Sequence, residues 1–88
     1  MLFMVIEHFK DIAAIGERFK RVGRMLPDGV AYRASWVEPG GARCFQVMEA
    51  DSAAPIEAWA SRWQDLAEFE IVPVLTSQQF WAEHGTGS

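Results

Sequence analysis

The sequence predicts an α+β fold in the order strand, helix, strand, strand, helix, strand: one four-stranded antiparallel sheet with two helices on one face. Three observations carry this. Leu2 to Ile6 is an unbroken apolar run, two later segments repeat apolar residues at spacings of three and four, and two β-rich stretches flank Pro39-Gly40-Gly41. A strand apolar at every position cannot follow the alternation of a half-wet antiparallel sheet, so both of its faces should be covered. The helices cover one face. The other is expected to meet a second copy of the chain, giving a face-to-face homodimer.

Taken in order, Leu2 to about Phe9 reads as the first strand. Asp11 suits the N-cap of a helix in which Ile12, Ile15, Phe19, Val22 and Leu26 recur on one side, and Pro27-Asp28-Gly29 is the expected stop. Val30 to Glu38 follows as a strand with Tyr32, Trp36 and Val37. Pro39-Gly40 fits the centre of a type II turn, and Arg43 to Glu49 alternates as the returning strand of a hairpin.

Asp51-Ser52 and Pro55 mark the start of the second helix, where Ile56, Trp59, Trp63 and Leu66 form one stripe. Phe69 to Leu75 is the last strand. Its Pro73 removes a ladder donor, a defect normally confined to a sheet edge or a bulge. In a split βαβ arrangement the last strand is an edge and the first is central, so the apolar first strand and Pro73 agree on the topology. The domain is expected to span residues 1–76. Residues 77–88 form a tail with a short helical turn carrying Phe80 and Trp81, and a disordered Gly85-Thr86-Gly87-Ser88 end.

Composition narrows the function classes. At 88 residues the chain is one domain, and such a domain buries only about 60 to 65% of its unfolded surface, so association is a natural route to stability. Half of the residues are hydrophobic, which is ample for a core. A formal charge of −4 argues against nucleic acid or an anionic membrane as partner. The one basic cluster, Lys20, Arg21 and Arg24 with Arg18 nearby, reads as a solvated face at the C-terminal end of the helix dipole.

Cys44 is the only cysteine, which excludes an intrachain disulfide and a multi-cysteine metal site and fits a reducing, cytoplasmic compartment. The apolar start is too short for a signal-peptide core and lacks a preceding basic segment, and no transmembrane span is expected.

Met1-Leu-Phe-Met-Val-Ile, Ser35-Trp36-Val37, Arg43-Cys-Phe-Gln-Val-Met-Glu49, Trp59-Ala-Ser-Arg-Trp-Gln-Asp-Leu66 and Phe69-Glu-Ile-Val-Pro-Val-Leu75 together resemble a group of short bacterial proteins, the domain-of-unknown-function family DUF3303. The resemblance reaches to about Leu75, and the Trp-x3-Trp-x-Asp-Leu segment with the following Phe-Glu-x2-Pro-Val is its most specific part. It implies a ferredoxin-like fold of the dimeric α/β barrel kind. It brings no activity and no catalytic residue. That wider superfamily holds cofactor-independent monooxygenases, haem-degrading enzymes, lactone isomerases and stress proteins, and fold alone does not choose among them.

The candidate pocket residues are His8, Trp36, Cys44, Gln46, Met48, Trp59 and Trp63. His8 is the histidine within the predicted sheet, a residue type suited to general base chemistry, with a strand-end structural role as the plainer reading. By alternation it shares a face with Leu2, Met4 and Ile6. Cys44, Gln46 and Met48 share one face of the third strand. Thiol, amide and thioether there suit either a pocket wall or core filling. Trp36, Trp59 and Trp63 could line a cavity for a flat aromatic molecule, with Arg33, Arg43 or Arg62 holding a carboxylate, or could simply be core.

Asp65 and Glu70 bracket the last helix-to-strand connection and are expected to order it. No cofactor or metal is expected. A haem would need an axial ligand on a main helix, and an RNA-binding sheet of this topology would need more basic and aromatic residues on its third strand. The expected function is therefore a small apolar or aromatic ligand held in a dimer, as binding module or cofactor-free enzyme. The alternative is a non-catalytic structural or protein-interaction dimer with a filled core.

Overall fold

The computed structural model describes residues 1–85. Strand β1 (Leu2–Phe9) leads into helix α1 (Ile12–Val22), strands β2 (Ala31–Val37) and β3 (Arg43–Glu49) form the hairpin, and helix α2 (Ala54–Ser61) returns to strand β4 (Ala67–Val74). A further helix, α3 (Ser77–His84), follows β4. The sheet runs β2-β3-β1-β4 with every neighbouring pair antiparallel, so β1 is central and β4 is an edge. Pro73 stands on that edge opposite Phe3, where β4 has a neighbour on one side only.

The period of two in β1 sends Phe3, Val5 and Glu7 to one face, all buried, and Leu2, Met4, Ile6 and His8 to the other, all half-buried. β3 repeats the pattern with Cys44, Gln46 and Met48 buried. Against that face α2 lays Ile56, Trp59 and Ala60, with Trp63 just beyond it, and these pack with Phe3, Val5 and Met48 as the core. Each fully buried side chain of this size contributes about 1.5 to 3 kcal/mol relative to exposure. The core is concentrated under α2.

Helix α1 is held differently. It has no buried residue, and Ile12, Phe19 and Val22 are each about half exposed despite its apolar stripe. Asp11 caps it by accepting from the Ala14 N–H at 3.1 Å. Arg18 ties it to the far side, donating to the Asp65 carboxylate at 2.9 and 2.6 Å and to the Arg62 carbonyl at 3.1 Å. Ile12 also reaches the β2–β3 turn, where a Cβ on Gly41 would lie 2.7 Å from its Cδ1.

Several local expectations are corrected. α1 stops at Val22, not before Pro27, because Gly23 adopts φ of 71° and its N–H closes back on the Phe19 carbonyl. The hairpin turn is closed by the Gly41 N–H donating to the Glu38 carbonyl at 2.8 Å. Its positive φ falls on Gly41 and not on Gly40, so it is not of type II. No side chain caps α2, whose N-cap is Ala53. α2 also ends at Ser61, leaving Trp63 and Leu66 in the following turn, and β4 starts two residues earlier than expected, at Ala67.

The segment after Thr76 is a full eight-residue helix. Thr76 accepts from the Gln79 N–H while the Gln79 side chain accepts from the Thr76 N–H, a reciprocal capping box that stabilises this start. Of the expected disordered end, residues 86–88 lie outside the described residues.

Candidate functional site

Between α1 and the sheet lies a cavity of about 210 Å³. Glu7, Cys44 and Gln46 form its floor, with Phe9 at the strand end. Ile15, Gly16 and Phe19 of α1 are its roof, and Trp59 and Trp63 close the side toward the core. α1 buries no residue fully and touches the core through Ile15, and space remains beneath it.

The floor is polar in an apolar surrounding. Glu7 is only 6% exposed and Gln46 only 3%. The Gln46 Nε2 donates to Glu7 Oε1 at 2.8 Å, and Gln46 Oε1 accepts from Arg24 at 3.1 Å. Burial raises the Glu7 pKa above its ordinary value of 4.5, against the opposing pull of the Arg24 charge and the Gln46 hydrogen bond. Burial, followed by the neighbouring Glu7 charge, pushes the Cys44 thiol up to about 11. Cys44 is therefore protonated at neutral pH and poorly suited to nucleophilic work.

Arg24 owes its place to the early end of α1. Beyond Gly23 the chain turns inward, with Met25 at φ of 59°, an uncommon conformation for a non-glycine residue. The Arg24 carbonyl accepts from the Trp59 indole at 2.8 Å and from the Trp63 indole at 3.2 Å, while Arg62 donates to the Met25 carbonyl at 2.6 Å. So anchored, the Arg24 guanidinium lies 3.9 Å from the Tyr32 ring centroid and 5.3 Å from that of Phe19. Its expected place on a solvated helix face is corrected by this geometry.

Of the seven candidate pocket residues, the structure brings Cys44, Gln46, Trp59 and Trp63 to the cavity. Met48 shares their face but is fully buried in the core beneath α2. Trp36 and His8 stand on the opposite face of the sheet. Trp36 pairs with Phe45 across the β2–β3 ladder and is 58% exposed. His8 Nε2 lies 2.9 Å from the Glu70 carboxylate.

Arg33 pairs with Glu49, Arg43 with Glu38, and Arg62 with backbone, so none of the three reaches the cavity. Asp65 does order its turn, through Arg18. Glu7 and Arg24 were missed by sequence reasoning. Glu7 could have been found from β1 alternation, which puts it on the face of Phe3 and Val5. For Arg24 the available signal was Gly23, a residue type that ends helices and takes the next residue off the helix face.

Among the described residues no cluster of three potential metal ligands occurs, and no helix is long and apolar enough to cross a membrane. What the site offers chemically is an aromatic-walled space with one carboxyl group, one guanidinium, one oriented amide and one unreactive thiol.

A β2-β3-β1-β4 antiparallel sheet with α1 and α2 on one face and this cavity between them defines a ferredoxin-like α+β domain. Within that class, the chain belongs to the family described as Domain of unknown function (DUF3303), whose sequence model matches residues 1–87. No curated protein and no solved structure matches the chain significantly.

Proposed function

We propose that this protein binds a small apolar or aromatic molecule in the cavity beneath α1 and works as a face-to-face homodimer of the dimeric α/β barrel kind. The observation that carries the ligand reading is the aromatic-walled cavity of about 210 Å³ built over the buried Glu7–Gln46 pair. Ligand pockets are mainly apolar with a few placed polar groups, and this one follows that rule at a volume below the usual range of roughly 300 to 1,000 Å³. The ligand is correspondingly small. A binding module and a cofactor-free enzyme both fit this site, and a reducing compartment such as the cytoplasm suits the free Cys44.

The dimer reading rests on the other face of the sheet. Met4 and Ile6 of β1, Phe45 and Val47 of β3, and Val72 of β4 form an apolar surface on the face opposite α1 and α2, not covered by either of them, continued by the exposed Trp36. Apolar patches of this kind mark interaction sites. Sedimentation velocity of the full chain at micromolar concentration tests the assembly, and ligand-detected NMR with toluene tests the cavity. A well-folded monomer would overturn the first, and absence of saturable toluene binding the second.

A second reading has its own support. Phe80 is 39% exposed, packs edge-to-face on Trp81 at 4.9 Å, and belongs to a helix with no buried residue. A protein-interaction role would use this aromatic pair. Deletion of residues 77–88 would abolish partner binding and leave the cavity unchanged.

A further inference from the structure

The hydrogen bonds on the cavity floor have a direction. Arg24 donates to Gln46 Oε1, which fixes the amide so that Nε2 faces Glu7 and donates to its Oε1. The series ends on the carboxylate. Glu7 Oε2 has no protein partner, yet among the described residues no sealed side-chain oxygen or nitrogen lacks one, so this atom opens on the cavity that Glu7 lines. A buried carboxylate oxygen facing aromatic walls is an acceptor in want of a donor.

Two further features restrict what supplies that donor. An apolar cavity of about 150 Å³ accommodates benzene, so about 210 Å³ suits one substituted ring and not a fused system. The charges of Glu7 and Arg24, bridged by Gln46, sum to zero, so the floor carries no net charge to hold an organic cation. Cys44, the remaining titratable group on the floor, is neutral.

We infer that the cavity selects a neutral single-ring phenol, whose ring packs between Phe19 and the Trp59–Trp63 wall and whose hydroxyl donates to Glu7 Oε2. This rests on the ligand-binding reading above and assigns the chemical class and the residue that recognises it. Glu7 is the specificity-determining contact, with Gln46 and Arg24 as positioning residues.

The test is titration of the ¹⁵N-labelled full chain at pH 8 with p-cresol, toluene and benzylammonium, read at the Trp59 and Trp63 indole N–H signals and the Gln46 amide. A hydrogen bond to a charged acceptor predicts that p-cresol binds at least about tenfold more tightly than toluene. Glu7→Gln replaces the charged acceptor with a neutral amide and should reduce that preference severalfold. The spectrum of the variant reports its folding, and Gly16→Leu, which fills the cavity from a position with no atom within 4 Å of a Cβ, should abolish both affinities.

Equal binding of p-cresol and toluene, or a preference unchanged in Glu7→Gln, would overturn the phenol assignment and leave the cavity as a general apolar site. Tighter binding of benzylammonium would overturn it in favour of a cation. Absence of saturable shifts with every probe would overturn both the assignment and the ligand-binding reading beneath it.

Discussion

The indoles of Trp59 and Trp63 converge on a single acceptor, the backbone carbonyl of Arg24, at 2.8 and 3.2 Å. One residue lies in α2 and the other in the turn after it, so the pair fastens the chain leaving α1 to both. A carbonyl has two lone pairs, and both are used. Removing one donor leaves the other in place: Trp59→Phe or Trp63→Phe should each cost about 1 kcal/mol in urea unfolding. The double variant strips the partly buried carbonyl of its indole donors and should cost more than the sum of the two, a non-additivity expected for groups sharing one partner.

Glu7 gives stability an unusual pH dependence. Its folded pKa lies above the ordinary 4.5 because of burial. Above that value the unfolded chain releases the proton more readily than the folded one, so this group's contribution is fully present below pH 4.5 and is lost as pH rises through the folded pKa. Glu38, Glu49 and Asp65, held below their ordinary values by hydrogen bonds from Arg43, Arg33 and Arg18, act in the opposite sense, losing their contributions as pH falls. Glu7→Gln should therefore stabilise the fold at neutral pH relative to the parent, and the difference should shrink toward pH 4. Thermal melts across that range check it.

Two glycines of α1 and its end should respond oppositely to alanine. Gly16 sits mid-helix without positive φ and with open space around it, so Gly16→Ala should stabilise by roughly 0.5 to 1 kcal/mol. Gly23, at φ of 71°, terminates the helix, and Gly23→Ala should destabilise by about 1 kcal/mol. Equilibrium urea unfolding distinguishes the signs.

Cys44 should be nearly inert to alkylation in the native protein at pH 7.5. Its thiol is buried and held at about 11, so thiolate is scarce and access is poor. Iodoacetamide labelling should proceed at the rate of opening and become fast in denaturant. Rapid labelling of the native chain would contradict the geometry.

On the uncovered sheet face, Phe45→Glu with Met4→Glu should leave the fold intact and give a monomer by sedimentation, since their side chains point away from the core. Circular dichroism of the variant confirms folding, and an unchanged sedimentation coefficient would rule out this face as the contact.

How much of this was legible follows element by element. β1 and β3 were readable to the residue because β3 alternates against a core and β1 is apolar from Leu2 through Ile6. The face shared by Cys44, Gln46 and Met48 followed from the same period. Trp36 was not placeable by counting, since the register shifts between Tyr32 and Ala34 and exchanges the faces beyond it. The ends of α1 and α2 were overestimated because apolar spacing continues through Leu26 and Leu66 after the backbone has left the helix. The inward Arg24 depends on those endings, and a helical wheel drawn through it points it to solvent.

The core under α2 and the cavity under α1 occupy different stretches of one sheet face. Trp59 and Trp63 belong to both and Ile15 packs against the core, whereas Gly16 and Phe19 line the cavity without joining that core. Substitutions at Gly16 and Phe19 can therefore reshape the space under α1 while the packing under α2 stays in place.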